Sequence, residues 1–234
     1  MSDKFQQALT GRAVRERSLL RNVYLWMTAG LALTGIVALG VAGNANFVYA
    51  LVTNRLLFFG LIIGELILVM SLSARIMSLS PAAATAGFAA YAALNGVTLS
   101  VIFLAYTGQN IATALFITAG TFAGMSLYAV TTRRDLSSLG HYLIMGLWGL
   151  IIASLVNIFL RSEALYYLIS YIGVGVFLGL TAYDTQRIKQ MSDQLGVSAG
   201  EADYMRLSIL GALRLYLDFI NLFLFFLRIF GRRR

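Results

Sequence analysis

Cysteine is absent from the 234-residue chain, proline occurs once, at Pro81, and histidine once, at His141. Such a chain has no disulfide, no thiolate nucleophile and no cysteine-held metal, and one imidazole excludes a histidine cluster. Charge is also scarce: 12% of residues are Asp, Glu, Lys or Arg, against roughly 25% in soluble domains. Hydrophobic residues make up 59%, and the mean hydropathy is +0.79. A soluble fold of that composition would expose large apolar patches. The 22 glycines suit helices packed closely in lipid, where small residues let backbones approach.

A helix that crosses a bilayer takes about 20 apolar residues. Seven runs meet that length, at 22–43, 56–75, 82–106, 110–132, 139–160, 164–185 and 207–230. They are continuous rather than alternating in polarity, which favours helices over a membrane β-barrel. The first run is too long, and lacks the small-residue cleavage pattern, for a signal peptide. Links of a few residues, at 107–109, 133–138 and 161–163, make neighbouring spans antiparallel. The expectation is an all-α polytopic membrane protein: a basic segment at 1–21, cytoplasmic, followed by a single seven-helix domain at 22–234.

The formal net charge of +8 flanks the apolar runs. Lys4, Arg12, Arg15, Arg17 and Arg21 precede the first, and basic residues beside spans meet the anionic membrane surface. Nucleic acid is not an expected partner, because no basic aromatic face stands outside the spans. The positive-inside rule places the N-terminal segment in the cytoplasm, together with Arg133 and Arg134 and with Arg187, Lys189 and Arg206. Arg55 and Arg161 fall on the other side. A seventh crossing carries Arg228, Arg232, Arg233 and Arg234 outside, against the rule, but earlier spans usually dominate. A reporter fused at the C-terminus is therefore expected to be active only outside the cytoplasm. Cytoplasmic activity would show that the last segment re-enters.

Ionisable groups within spans are costly and mark functional sites by default. The candidates are Glu65, Arg75, Asp184, Arg214 and Asp218. Glu65 lies mid-span, where ionisation is expensive, and is expected to be mostly neutral at pH 7. Asp184 has Arg187 three residues beyond it, and Asp218 has Arg214 four residues before it. With both arginines reaching the cytoplasmic interface, the two carboxylates share one depth, about one turn deeper. Arg75, ending the second run, reaches the same side. The plainer alternatives are a helix-capping role for Asp184, an interfacial anchor for Arg75 and a local i,i+4 pair of Arg214 with Asp218. Asn95, Asn157 and Asn221 are expected to hydrogen-bond between helices.

At these residues the chain resembles the Bax inhibitor-1 family. The resemblance rests on Leu215-Tyr216-Leu217-Asp218-Phe219-Ile220-Asn221-Leu222-Phe223 in the last run, on Gly179-Leu180-Thr181-Ala182-Tyr183-Asp184-Thr185-Gln186 in the sixth, and on Thr131-Thr132-Arg133-Arg134-Asp135-Leu136-Ser137 after the fourth. It covers essentially the whole chain. It implies a bacterial inner-membrane protein of seven helices with the last one central. It also implies a pH-sensitive calcium leak gated by two aspartates and an arginine of the second helix, carried here by Asp184, Asp218 and, more loosely, Arg75.

Three functions are open to such a chain. In a cation leak, Asp184 and Asp218 form a hard oxygen site suited to calcium or a proton, no tightly bound cofactor is needed, and the pair titrates in two steps. Glu65, Arg214 and Arg187 are secondary candidates. An intramembrane aspartyl protease also needs two carboxylates, but the expected Gly-x-Gly-Asp string is missing before Asp218, so no enzyme is expected. A non-transporting regulator of a membrane-bound AAA protease or stress response, docking through residues 1–21, is the alternative.

Overall fold

The computed structural model describes residues 2–194 and 200–231, with side chains described at 18–193 and 200–231. The side chains of Lys4, Arg12, Arg15 and Arg17, and residues Arg232, Arg233 and Arg234, lie outside the described residues. Every regular element among those described is a helix: α1 (Ser2–Ala42), α2 (Ala45–Thr53), α3 (Arg55–Arg75), α4 (Pro81–Leu99), α5 (Ile102–Ala105), α6 (Gly108–Thr131), α7 (Leu139–Leu160), α8 (Glu163–Gln194) and α9 (Glu201–Phe230). Seven segments are long and apolar enough to cross a membrane: Ser18–Ala42, Arg55–Arg75, Pro81–Ala105, Gly108–Thr131, Leu139–Leu160, Glu163–Asp193 and Glu201–Phe230. The chain is a multi-pass all-α membrane protein.

Hydrogen-bonded caps set several of the boundaries. Asn44, Asn54, Ser80 and Thr107 each accept, through the side chain, an N–H of the turn they precede, which satisfies donors a helix start leaves open. Pro81 follows Ser80 at the first helical position, where a missing N–H costs nothing.

The helices differ from the apolar runs in several places. The stretch between the first two runs holds α2, whose Val48 and Leu51 are buried. The third run breaks at Ser100, whose hydroxyl turns back to the Val97 carbonyl at 2.6 Å. The sixth run ends in hydropathy at 185, but α8 continues to Gln194, and α9 begins at Glu201, before its apolar stretch. Hydropathy falls where water begins, while backbone hydrogen bonds and good helix formers carry a helix past that point. Asp184 therefore stands inside a helix, which removes the capping alternative.

The chain forms two compact units. The first comprises Met1–Leu104 with Ile188–Tyr216, the second Ala105–Arg187 with Leu217–Arg234. In the first, α4 packs on α1 and α3. Arg206 ties the start of α9 to the α3–α4 link, donating to the Leu79 carbonyl at 2.6 Å and pairing with Asp203 at 2.8 Å. In the second, Gln186 of α8 holds the α6–α7 link: it accepts from the Leu136 N–H at 2.7 Å and donates to the Arg134 carbonyl at 2.9 Å. Within that link the Ser137 hydroxyl and N–H hold the Asp135 carboxyl below its ordinary range.

Burial separates the last helix from the rest. In the most apolar window of α9 72% of residues are buried, against 39% at most in any other span and 6% in α7. Lipid solvates the outer helices, whose large apolar side chains such as Phe159, Leu56 and Phe116 are exposed. A helix that instead contacts protein on all sides is the interior one. The first half of α9 is buried in the first unit and the second half in the second.

Candidate functional site

The second unit carries the two aspartates. Asp218 is 4% exposed and Asp184 half-buried. Helix α8 ends at Gln194 and α9 starts at Glu201, so so short a connection makes them antiparallel. Phe177 of α8 meets Phe225 of α9 with ring centroids 5.8 Å apart, and Gly173 lets the Phe225 ring lie against the α8 backbone. Asp184 is seven residues after Phe177, and Asp218 seven before Phe225. Seven residues are about two turns and roughly 10 Å, and they return nearly to the same helix face. Along antiparallel helices the two aspartates therefore share one level.

Around that level the second unit is lined by further polar groups. Thr181 and Thr185 of α8 are fully buried, and the Thr181 hydroxyl is absorbed by the Phe177 carbonyl at 2.8 Å. On α6, Phe122 packs edge-on against Phe219 at 5.4 Å. One turn further along, the buried Ser126 hydroxyl has no hydrogen-bond partner among the described residues. Sequence reasoning passed over Ser126, because a lone serine in a small-residue helix carries no signal.

The arginines fall in different surroundings. Arg187 is exposed and donates to the Tyr183 hydroxyl at 2.7 Å, consistent with a head group at the interface. Arg214 is half-buried and belongs to the first unit. Arg75, also in the first unit, is exposed at the last turn of α3.

Glu65 sits in a hydrogen-bonded chain that links four helices of the first unit. Its Oε2 accepts from Asn95 Nδ2 at 3.2 Å, and its Oε1 accepts from the Thr98 hydroxyl. Asn95 Oδ1 accepts from the Tyr216 hydroxyl at 3.1 Å. The same hydroxyl meets Thr34 Oγ1 at 2.7 Å, and Thr34 lies within reach of the Ala92 carbonyl at 2.8 Å and the Gly30 carbonyl at 2.9 Å. With the single Tyr216 proton on Asn95, Thr34 donates to Tyr216. With it on Thr34, Thr34 donates to a backbone carbonyl. The interhelical role expected of Asn95 is present. Thr34 and Thr98 were missed, since threonine in a span ordinarily bonds its own helix.

Glutamine in place of Glu65 keeps both contacts, its oxygen accepting from Asn95 Nδ2 and its amide donating to the Thr98 oxygen, whose own proton then turns to the Leu94 carbonyl. Glu65→Gln is expected to leave thermal stability in detergent nearly unchanged. Glu65→Leu strands Asn95 and Thr98 and is expected to cost about 1–3 kcal/mol. Equal, strong destabilisation by both would show that a negative charge is required there.

Seven apolar helices with an interior last span and buried carboxylates at Glu65 and Asp218 define a polytopic membrane protein. The comparisons place it in a family. The family described as "Inhibitor of apoptosis-promoting Bax1" matches residues 16–234. "Inner membrane protein YbhL" of Escherichia coli (strain K12) is 52% identical over 218 residues, 93% of each chain. An uncharacterized protein of Borreliella burgdorferi is 45% identical over 219 residues, 94% of each chain. One of Deinococcus radiodurans is 44% identical over 217 residues, 93% of this chain and 91% of its own. The chain belongs to the Bax inhibitor-1 family.

Proposed function

We propose that the protein is a pH-sensitive cation leak of the bacterial inner membrane, with calcium as its cargo and Asp184 and Asp218 as ion site and gate. The carrying observation is their common level on antiparallel helices, with Asp218 buried inside the most buried span. Among the described residues no group of three or more His, Asp or Glu side chains is placed to hold a metal ion. Two carboxylates without a third suit transient passage better than tight binding. The membrane assignment draws on the relative named as an inner membrane protein, and the cytoplasmic N-terminus on the charge bias of the first six spans.

The reading is tested by calcium and proton flux into liposomes holding purified protein, across a pH series. It expects calcium entry above that of empty liposomes, with a rate that changes near neutrality. Absence of flux at every pH would overturn it and leave the non-transporting regulator of a membrane-bound protease as the better account.

A further inference from the structure

At the membrane end where α7 passes to α8, the second unit holds a cavity of about 870 Å³ that the leak reading leaves unused. Its wall includes Arg161 and Ser162 from the link, Asn157 of α7, Tyr166 of α8 and Arg228 of α9. The link is firmly built. Arg161 turns the chain in the left-handed region at φ 50°, its N–H on the Asn157 carbonyl at 2.8 Å. The Asn157 side chain accepts from the Ser162 N–H at 3.0 Å.

Arg228 is held but not neutralised. Its guanidinium lies over the rings of Tyr166, at 5.6 Å, and Phe225, at 5.3 Å. Stacking of this kind fixes the guanidinium plane and leaves its edge donors free. Among the described residues neither the Arg228 nor the Arg161 side chain has a hydrogen-bond acceptor or an ion-pair partner. Glu163, also on the cavity wall, is exposed. A planar fork of donors with no acceptor, facing a cavity, matches a phosphate oxygen pair.

The cavity continues into the span. A second space of about 310 Å³ shares Asn157, Tyr166 and Arg228 and adds Ser154, Ile158 and Ile169. Ser154 lies about one turn deeper in α7 than Asn157, and Ile169 about one turn deeper in α8 than Tyr166. Beside it the lipid-facing surface is apolar, with Phe159 85% and Leu168 54% exposed. A soluble anion needs only the outer chamber. A molecule with a phosphate above and hydrocarbon below fills both.

We propose that this cavity is a binding site for an anionic phospholipid, its phosphate on Arg228 and Arg161 and its glycerol end descending past Ile158 and Ile169. The test uses the full chain in detergent, with lipid binding read by native mass spectrometry and by the shift in unfolding temperature. The probes are phosphatidylglycerol, phosphatidylcholine and inorganic phosphate. Wild type is expected to prefer phosphatidylglycerol over phosphatidylcholine about tenfold, the scale of one charge-assisted contact. Arg228→Gln is expected to abolish the preference, Arg161→Gln to reduce it, and Arg55→Gln, in the first unit, to leave it intact. Equal binding of the two lipids overturns the proposal, as does a preference that survives in a folded Arg228→Gln protein. Stabilisation by inorganic phosphate equal to that by phosphatidylglycerol makes the site one for a soluble anion, which also overturns it. Where Arg228→Gln fails to fold, Arg161→Gln on the exposed link decides: an unchanged preference there rejects the site.

Discussion

Asp184→Asn and Asp218→Asn are each expected to remove the pH dependence of ion flux, and the double substitution to add little to either one. The two carboxylates stand at one level of antiparallel helices, each seven residues from the Phe177–Phe225 contact on the side of the α8–α9 connection. Nearby carboxylates do not ionise independently, so protons leave the pair in two steps that belong to both residues. Below both steps the pair is neutral and nothing repels. Above the higher step a second negative charge appears, and repulsion loosens α8 from α9. Asparagine at either position leaves one titrating group and no repulsion, so each single change abolishes the same event. Residues that act as one unit show interaction terms of roughly 0.5–3 kcal/mol rather than additive effects. Flux against pH for wild type, both single variants and the double variant distinguishes the cases. Independent, additive effects, or an unaltered pH profile in either single variant, would reject the coupled pair.

Gly96→Ala is expected to be strongly destabilising. A Cβ built at Gly96 falls 2.6 Å from the Thr34 carbonyl oxygen and 2.9 Å from the Val37 Cβ. The first of these is backbone, so no rotamer change relieves the clash, and α4 must move away from α1. That shift also pulls Thr34 from the Ala92 carbonyl, 2.8 Å away, and disturbs the chain through Tyr216 to Glu65. Overpacking alone costs about 1–3 kcal/mol; the Thr34 hydroxyl falls back on the Gly30 carbonyl of its own helix at 2.9 Å, so the lost interhelical bond adds little. Gly120 is the control, since a Cβ there meets nothing within 4 Å. Gly120→Ala is expected to be neutral or stabilising by up to about 1 kcal/mol, from helix propensity. Thermal unfolding in one detergent compares the two. Matching unfolding temperatures for the alanine variants would show that α1 and α4 are not in backbone contact at Gly96.

The amino-acid sequence by itself determined the class and the number of segments long and apolar enough to cross a membrane. Apolar runs of bilayer length admit no other satisfied backbone than helices, and lipid imposes this without help from tertiary contacts. It also marked Asp184, Asp218 and Glu65, because charge inside a span is costly wherever the helix packs. Helix ends were less legible: hydropathy reports the edge of the apolar stretch, whereas α8 continues past it to Gln194 and α9 begins before it at Glu201. What only tertiary structure decided is which polar groups meet. Tyr216, Thr34, Asn95 and Glu65 come from four helices up to 182 residues apart, and nothing in their local spacing announces a chain of hydrogen bonds. Arg228 is similar. In sequence it reads as one more basic residue near a terminus, and only the rings of Tyr166 and Phe225 beneath it turn it toward a cavity. Partition into lipid is a property of each segment and is written locally, whereas a hydrogen bond or a stacked cation depends on the rotation of helices about their axes, which packing alone sets.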